Sequence, residues 1–229
     1  MHKIFSVMGI LKNLFSGFQD QREILDLTAF GDELALKTSW EPLVGGGTSF
    51  CTHRLRAKSV GSSDLIEFEI TMASILFTVA FLIAALVGLV GAITSGSDGS
   101  ILAAIAMMAF GIWSAYGLWE QKTVFDRTSH SFVHKGRATD LQSIRAIQLV
   151  REYVRGNKNS YYSYELNFVC SSGDRINIVD HGSLRAIRED AEVLANYLSL
   201  PVWDAIDFRV PDQSANWDVK SEILRNNIG

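Results

Sequence analysis

Formal charge is absent from two long stretches of this 229-residue chain: residues 70–97 and 99–119 contain no Asp, Glu, Lys or Arg. Each stretch supplies the ~20 residues that an α-helix rising 1.5 Å per residue needs to cross a ~30 Å hydrocarbon layer. Only a polar link, Thr94 to Ser100, separates them, and its single charge is Asp98. A soluble core rarely needs two such runs in succession, so the pattern predicts a membrane hairpin over residues 71–120, with helices at about 71–93 and 100–119. The lack of any ionisable group inside either helix argues against a proton relay, an ion pathway or a transport site, all of which use intramembrane charge. The hairpin reads as an anchor.

Cysteine is scarce. Cys51 and Cys170 are too few for a disulfide framework, which fits a reducing compartment. Met1 to Met8 begins like a signal peptide, but Lys12 interrupts the apolar run and no small-x-small cleavage pattern follows, so the segment reads as uncleaved. Lys and Arg are missing from the link, whereas Arg54, Arg56 and Lys58 precede the first helix and Lys122, Arg127, Lys135 and Arg137 follow the second. The positive-inside rule then sets both termini in the cytoplasm of a bacterial-type inner membrane. Trp113, Tyr116 and Trp119 suit an interfacial aromatic belt.

Small residues recur every fourth position in the first helix, at Ala80, Ala84, Gly88 and Ala92, and Ala103, Gly111 and Ala115 offer similar spacing in the second. Such ridges let helix backbones approach closely where lipid supplies no hydrophobic drive. They serve either to pack the two helices together or to form a homo-oligomer or partner-helix face.

The flanks read as soluble sequence. Residues 1–19 carry Ile4, Val7, Leu11, Leu14, Phe15 and Phe18 at helical spacing, which predicts an amphipathic helix lying in the membrane interface or packing on a cytoplasmic domain. Residues 20–70 look extended or β, with Leu34–Trp40 and Thr48–Leu55 around a hairpin or bend at Gly45, Gly46 and Gly47. That triplet is no phosphate cradle, since neither a Lys-Ser/Thr pair nor a helix start follows it. From Thr123 the pattern alternates as strands. Tyr161–Cys170 and Arg175–Val179, joined through Ser171–Asp174, give the clearest hairpin. Ser183 is a plausible N-cap for a helix to Leu198, with Leu184, Ile187, Ala191 and Leu194 on its apolar face and Pro201 beyond its end. An α+β layout follows for residues 121–203, in which the last helix covers a bent antiparallel sheet, and residues 204–229 form a mixed-charge tail.

Catalytic and metal chemistry find little support. Cys51 and His53 share a strand face, and Cys170 and His181 could complete a tetrahedral site, but no CxxC or helical HxxxH backs it, and isolated strand residues are the favoured reading. His130 and His134 read as exposed and silent, with pH sensing as the alternative. Ser183 near His181 and Asp180 is the one hydrolase-like cluster, and helix capping accounts for its serine. No cofactor is expected. Lys122, Arg127, Lys135, Arg137, Arg145, Arg151, Arg155 and Lys158 form a basic block that starts at the membrane surface, where an anionic leaflet attracts each by ~1 kcal/mol. The block serves the positive-inside bias alone, or anionic headgroups, or an acidic partner. Nucleic acid is not expected of an acidic chain without an aromatic-basic motif.

Several short motifs carry a resemblance. Phe125-Asp126-Arg127 after the second helix, Leu141 and Ile144 before a strand, the Glu165 to Val179 hairpin, and the Ala-rich helix before Pro201 together resemble bacterial membrane-anchored pleckstrin-homology-like (PH-like) domains. The order of helices, strands and closing helix is also similar to that of the photosystem I assembly protein family of plastids and cyanobacteria. The resemblance covers roughly residues 71–203. It implies a PH-like antiparallel barrel closed by a C-terminal helix, without catalysis, that scaffolds or regulates assembly of a membrane complex through a protein partner. A sensor of anionic lipid headgroups is the alternative, and an enzyme of unrecognised type a remote one.

Overall fold

The computed structural model describes residues 22–60, 63–96, 98–156 and 159–210. The expected amphipathic helix over 1–19 and most of the 204–229 tail lie outside them. Two compact units divide the chain, residues 1–39 with 205–229 and residues 40–204.

In the first unit, Asp26 caps a 3-10 turn at Leu27–Phe30 and Asp32 caps helix α1, Glu33–Lys37, by accepting the Leu34 N–H at 2.9 Å. The extended conformation expected from Leu34 onward is therefore corrected. A capping aspartate followed by Glu-Leu-Ala-Leu-Lys, all good helix formers except the cap, favours a helical turn. The unit's two segments join where the Leu25 N–H donates to Arg209 O (2.9 Å) and the Arg209 N–H to Glu23 O (2.8 Å).

The second unit holds two sheets and two long helices. Strand β1 (His53–Val60) pairs antiparallel with β2 (Ser63–Ile70). Helices α2 (Met72–Ser95) and α3 (Asp98–Glu120) follow, then β3 (Thr123–Asp126), β4 (Ser131–His134) and β5 (Arg137–Asp140). These five strands form one antiparallel meander in chain order. Strand β2 is hydrogen-bonded directly to β3, with Ile66 opposite Phe125 and Phe68 opposite Thr123. The whole helix pair is thus the connection of a β-hairpin. Gly45–Gly47 is not the turn of one; the hairpin in this region is β1–β2, which alternates buried Leu55, Ile66 and Phe68 with Arg54, Arg56, Lys58, Glu67 and Glu69 on the opposite face.

The second sheet has the order β8-β7-β6-β9 and comprises β6 (Ile144–Val154), β7 (Tyr161–Cys170), β8 (Arg175–His181) and β9 (Val202–Asp204), the last parallel to β6. Helix α4 (Leu184–Leu198) precedes β9. Ser183 caps it by accepting the Ala186 N–H at 3.3 Å, and it buries Ala186, Ile187, Ala191 and Leu194. Phe125, Phe132 and Phe168 sit 5.3–5.7 Å apart between the sheets, with Phe68 against Phe125 at 6.2 Å. The fold is mixed α/β. Where a closed barrel was expected, the described strands form two separate ladders: a 3-10 turn at Leu141–Ser143 carries the chain from β5 to β6, and β8 meets the lead-in to β1 through an isolated bridge, Cys51–His181, and not through a ladder.

Both long helices are long and apolar enough to cross a membrane, and only 11% of the most apolar window of each is buried, unlike the core helix of a soluble protein. Their buried positions are Ser74, Ala85 and Ala92 of α2 and Ala104 and Gly111 of α3, with Ala115 half-buried, while Ala80, Ala84 and Gly88 are exposed. At Gly111 the packing leaves no room for a side chain: a Cβ there would lie 2.6 Å from Leu82 Cδ2 and 3.1 Å from Phe81 Cδ1, whereas one at Gly88 would meet nothing within 4 Å. Gly111→Leu is expected to cost about 1–3 kcal/mol through overpacking, and Gly88→Leu to be neutral, in thermal unfolding of the detergent-solubilised chain. Equal losses from both would contradict this packing.

Candidate functional site

The junction between helix pair and sheets is a buried polar cluster. Thr71 caps α2 by accepting the Ser74 N–H (3.2 Å), and its hydroxyl donates to Cys51 O (3.0 Å). His53, fully buried, makes a 3.0 Å bond to Leu118 O in the last turn of α3 and a 2.9 Å bond to the Thr52 hydroxyl. A carbonyl only accepts, so Nε2 carries the proton and Nδ1 takes the Thr52 hydroxyl. Burial lowers the His53 pKa, against the pull of the Leu118 carbonyl, which favours this neutral form. The bond also satisfies one of the helix-end carbonyls that lack an intrahelical partner.

Beside it, Asp190 of α4 accepts from Arg54 Nε (2.9 Å) and from His181 Nε2 (3.0 Å), and Arg54 also reaches Glu189 (2.8 Å). The other His181 ring nitrogen is buried and has no hydrogen-bond partner among the described residues. Cys51 lies next to this group, but burial pushes its thiol up to about 11, outweighing Arg54, so it is no thiolate nucleophile. Ser183 is used as a helix cap. Cys51, His53 and His181 are near neighbours, whereas Cys170 pairs with Ile144 at the other end of β7 from Tyr164, the partner of His181. No three His, Cys, Asp or Glu among the described residues are placed to hold a metal. His134 is pushed down to about 4, mainly by burial and then by Lys135, so it does not change charge near neutrality.

A second polar system fixes residues 41–48 across the β6–β7 face. The buried Glu165 carboxylate accepts the Leu43 and Val44 N–H groups (2.8 and 2.9 Å), and Glu152 accepts those of Gly46 and Gly47 (2.8 and 2.9 Å). The Tyr161 hydroxyl donates to Gly47 O (2.9 Å). At Gly47 any Cβ would collide with Ser163, so the close approach needs glycine. The triplet that looked like a free bend is a strap held by two carboxylates. Behind it, Asn167 donates to Glu165 (3.0 Å), and Asn177 donates to both Asn167 (3.1 Å) and Asp180 (2.9 Å).

The basic block does not form one surface, because its members sit on different elements of both sheets. Lys122 pairs with Glu67 at 3.3 Å; Arg127 follows β3, Lys135 is in the β4–β5 turn, Arg137 opens β5, and Arg151 and Arg155 lie at the end of β6. Lys158 lies outside the described residues. Arg151 stands 4.4 Å over the Tyr162 ring, which is 5.2 Å from Tyr153. Those tyrosines were missed in the sequence, although the β6–β7 register makes them cross-strand partners. A cavity of about 490 Å³ opens where the helix pair meets the first sheet, lined by Arg54, Arg56, Glu67, Glu69, Met72, Ile75, Trp119 and Lys122 among others. Burial opposes ionisation of Glu67, but Lys58 and Lys122 outweigh it and hold the carboxyl below its usual range.

Burial, outweighing the Asn177 hydrogen bond, pushes Asp180 up to about 6, with the Glu165 charge adding to the rise. A carboxyl raised in the folded state contributes stability that is full below its unfolded pKa of ~3.9 and lost as pH rises through about 6. Asp180→Asn, which cannot ionise, is therefore expected to melt like wild type at pH 4 and a few degrees higher at pH 7.5. The same offset at both pH values would contradict this. Comparison with protein-family models, with curated proteins and with solved structures finds no match for the chain.

Proposed function

We propose that this chain is a non-catalytic integral protein of a bacterial-type inner membrane, with both termini cytoplasmic, whose two-sheet domain is PH-like and docks a protein partner in the assembly or regulation of a membrane complex. The membrane reading is supported by the exposed apolar sides of α2 and α3. The orientation is supported by the link, which carries Asp98 and no cation, against the basic residues before and after the pair. A five-stranded antiparallel meander packed on the antiparallel run β6–β7–β8, which helix α4 follows, supports the PH-like reading. A non-catalytic role is supported by the structural use of the residues that could act as nucleophiles: Ser183 is a cap and Cys51 a protonated thiol.

The observation that carries partner docking is the Arg151, Tyr153 and Tyr162 patch. Both tyrosines stay largely exposed, at 53% and 45%, although their rings are already ordered by each other and by the guanidinium. Tyr and Arg dominate interface hot spots because they bring large area and hydrogen bonding at low entropic cost. Extraction of the tagged chain from its native membrane in mild detergent is expected to recover a stoichiometric partner. Tyr153→Ala with Tyr162→Ala is expected to reduce that recovery at least about tenfold. Recovery of the wild-type chain alone, or undiminished capture by the double variant, would overturn docking at this patch.

A further inference from the structure

We propose that the cavity between β1, β2 and the membrane ends of the helix pair binds the headgroup of a glycerophospholipid that carries both a phosphate and a primary ammonium, as an ethanolamine head does. The inference rests on the reading that α2 and α3 cross a bilayer. At about 490 Å³ the cavity has the size of a small-ligand site. Its lining is sorted by polarity. Met72 and Ile75 in the first turn of α2 and Trp119 at the end of α3 give the helix side an apolar wall, while Arg54, Arg56, Glu67 and Glu69 give the sheet side a charged one. Both helices meet the sheet here, so in a bilayer the cavity sits where hydrocarbon gives way to headgroups. An acyl chain would follow the apolar wall and a headgroup the charged one.

The charge arrangement selects the headgroup. Arg54 is committed to Glu189 and Asp190, and Lys122 faces Glu67, which Lys58 also contacts. Arg56 is exposed and has no hydrogen-bond or ion-pair partner among the described residues. Its guanidinium is free to take a phosphate through two parallel N–H donors. Glu69 shares a single lysine with Glu67, Lys58 at 3.2 Å, and keeps acceptor capacity for an ammonium. Arg56 lies opposite Glu67 on the ladder and Glu69 opposite Arg54, so Arg56 and Glu69 are diagonal neighbours on one face. A head with negative charge alone would leave Glu69 facing it unfavourably, and a quaternary ammonium has no N–H to donate to that carboxylate.

Native mass spectrometry of the full chain, released from micelles after titration with ethanolamine, choline and glycerol phospholipids of matched acyl chains, tests the site. Carbonate extraction is run on the same membranes. The expected result is one retained ethanolamine lipid, preferred at least about tenfold over the other two. Glu69→Gln should erase the preference and Arg56→Gln should weaken all three. A carbonate-resistant chain with no preference, with a preference for the glycerol head, or with one that survives both substitutions overturns the site alone. A chain released by carbonate overturns the bilayer reading and the site with it.

Discussion

The pairing of β2 with β3 is the constraint on which the rest of this architecture depends. Residues 71–122 intervene between the two strands, yet Ile66 faces Phe125 and Phe68 faces Thr123 as in an ordinary hairpin. Neighbouring strands lie ~4.8 Å apart and packed helices ~8–10 Å. An antiparallel helix pair therefore delivers its two ends close enough to feed adjacent strands through a residue or two on each side. Close packing at Gly111 matters for this reason: helices forced apart would pull on the ladder beneath them. The joint is further tied by Thr71 to Cys51 and by His53 to Leu118, so the domain is mounted on the proposed anchor without a free linker.

Apart from Arg56, the cations near this joint act in structural roles, each meeting a carboxylate on another element. Arg54 links β1 to α4 through Asp190 and Glu189, and Lys122 links the end of α3 to β2 through Glu67. Glu165 and Glu152 do similar work on the other sheet, where carboxylates accept the backbone N–H groups of the strap and replace a strand that the segment 41–48 does not form. A buried carboxylate such as Glu165 is costly unless its acceptor sites are filled. The Leu43 and Val44 N–H groups and the Asn167 amide fill those of Glu165, and the Gly46 and Gly47 N–H groups those of Glu152.

The elements legible in the sequence were those whose signal is local. Missing charge marks the two long helices, the Ser171–Asp174 turn marks β7–β8, and Ser183 with its apolar stripe marks α4. Strands β1 and β2 were harder to read because their outer face carries Arg54, Arg56, Lys58, Glu67 and Glu69, and charge-rich strands look like loops. The β2–β3 ladder could not be read locally, since its partners are separated by the helix pair. The three-residue β9 adds to β6 in parallel, a register set by tertiary packing. Part of the candidate surface was visible as basic residues. What escaped was their use: Lys122 is an ion-pair member, and Arg151 gains its meaning from Tyr162, a residue that becomes its neighbour only when β6 pairs with β7.

Disulfide trapping across the helix insertion tests the central claim most directly. In a chain with Cys51 and Cys170 replaced by serine, Leu65→Cys with Asp126→Cys occupies one opposed pair of the β2–β3 ladder. Mild oxidation in intact membranes should link these two, while the out-of-register pair Leu65→Cys with Thr123→Cys should stay reduced. Failure of the first pair to link in a chain that remains embedded, or equal linking of both, would mean that the two strands are not neighbours and that the domain is not built around its anchor in this way.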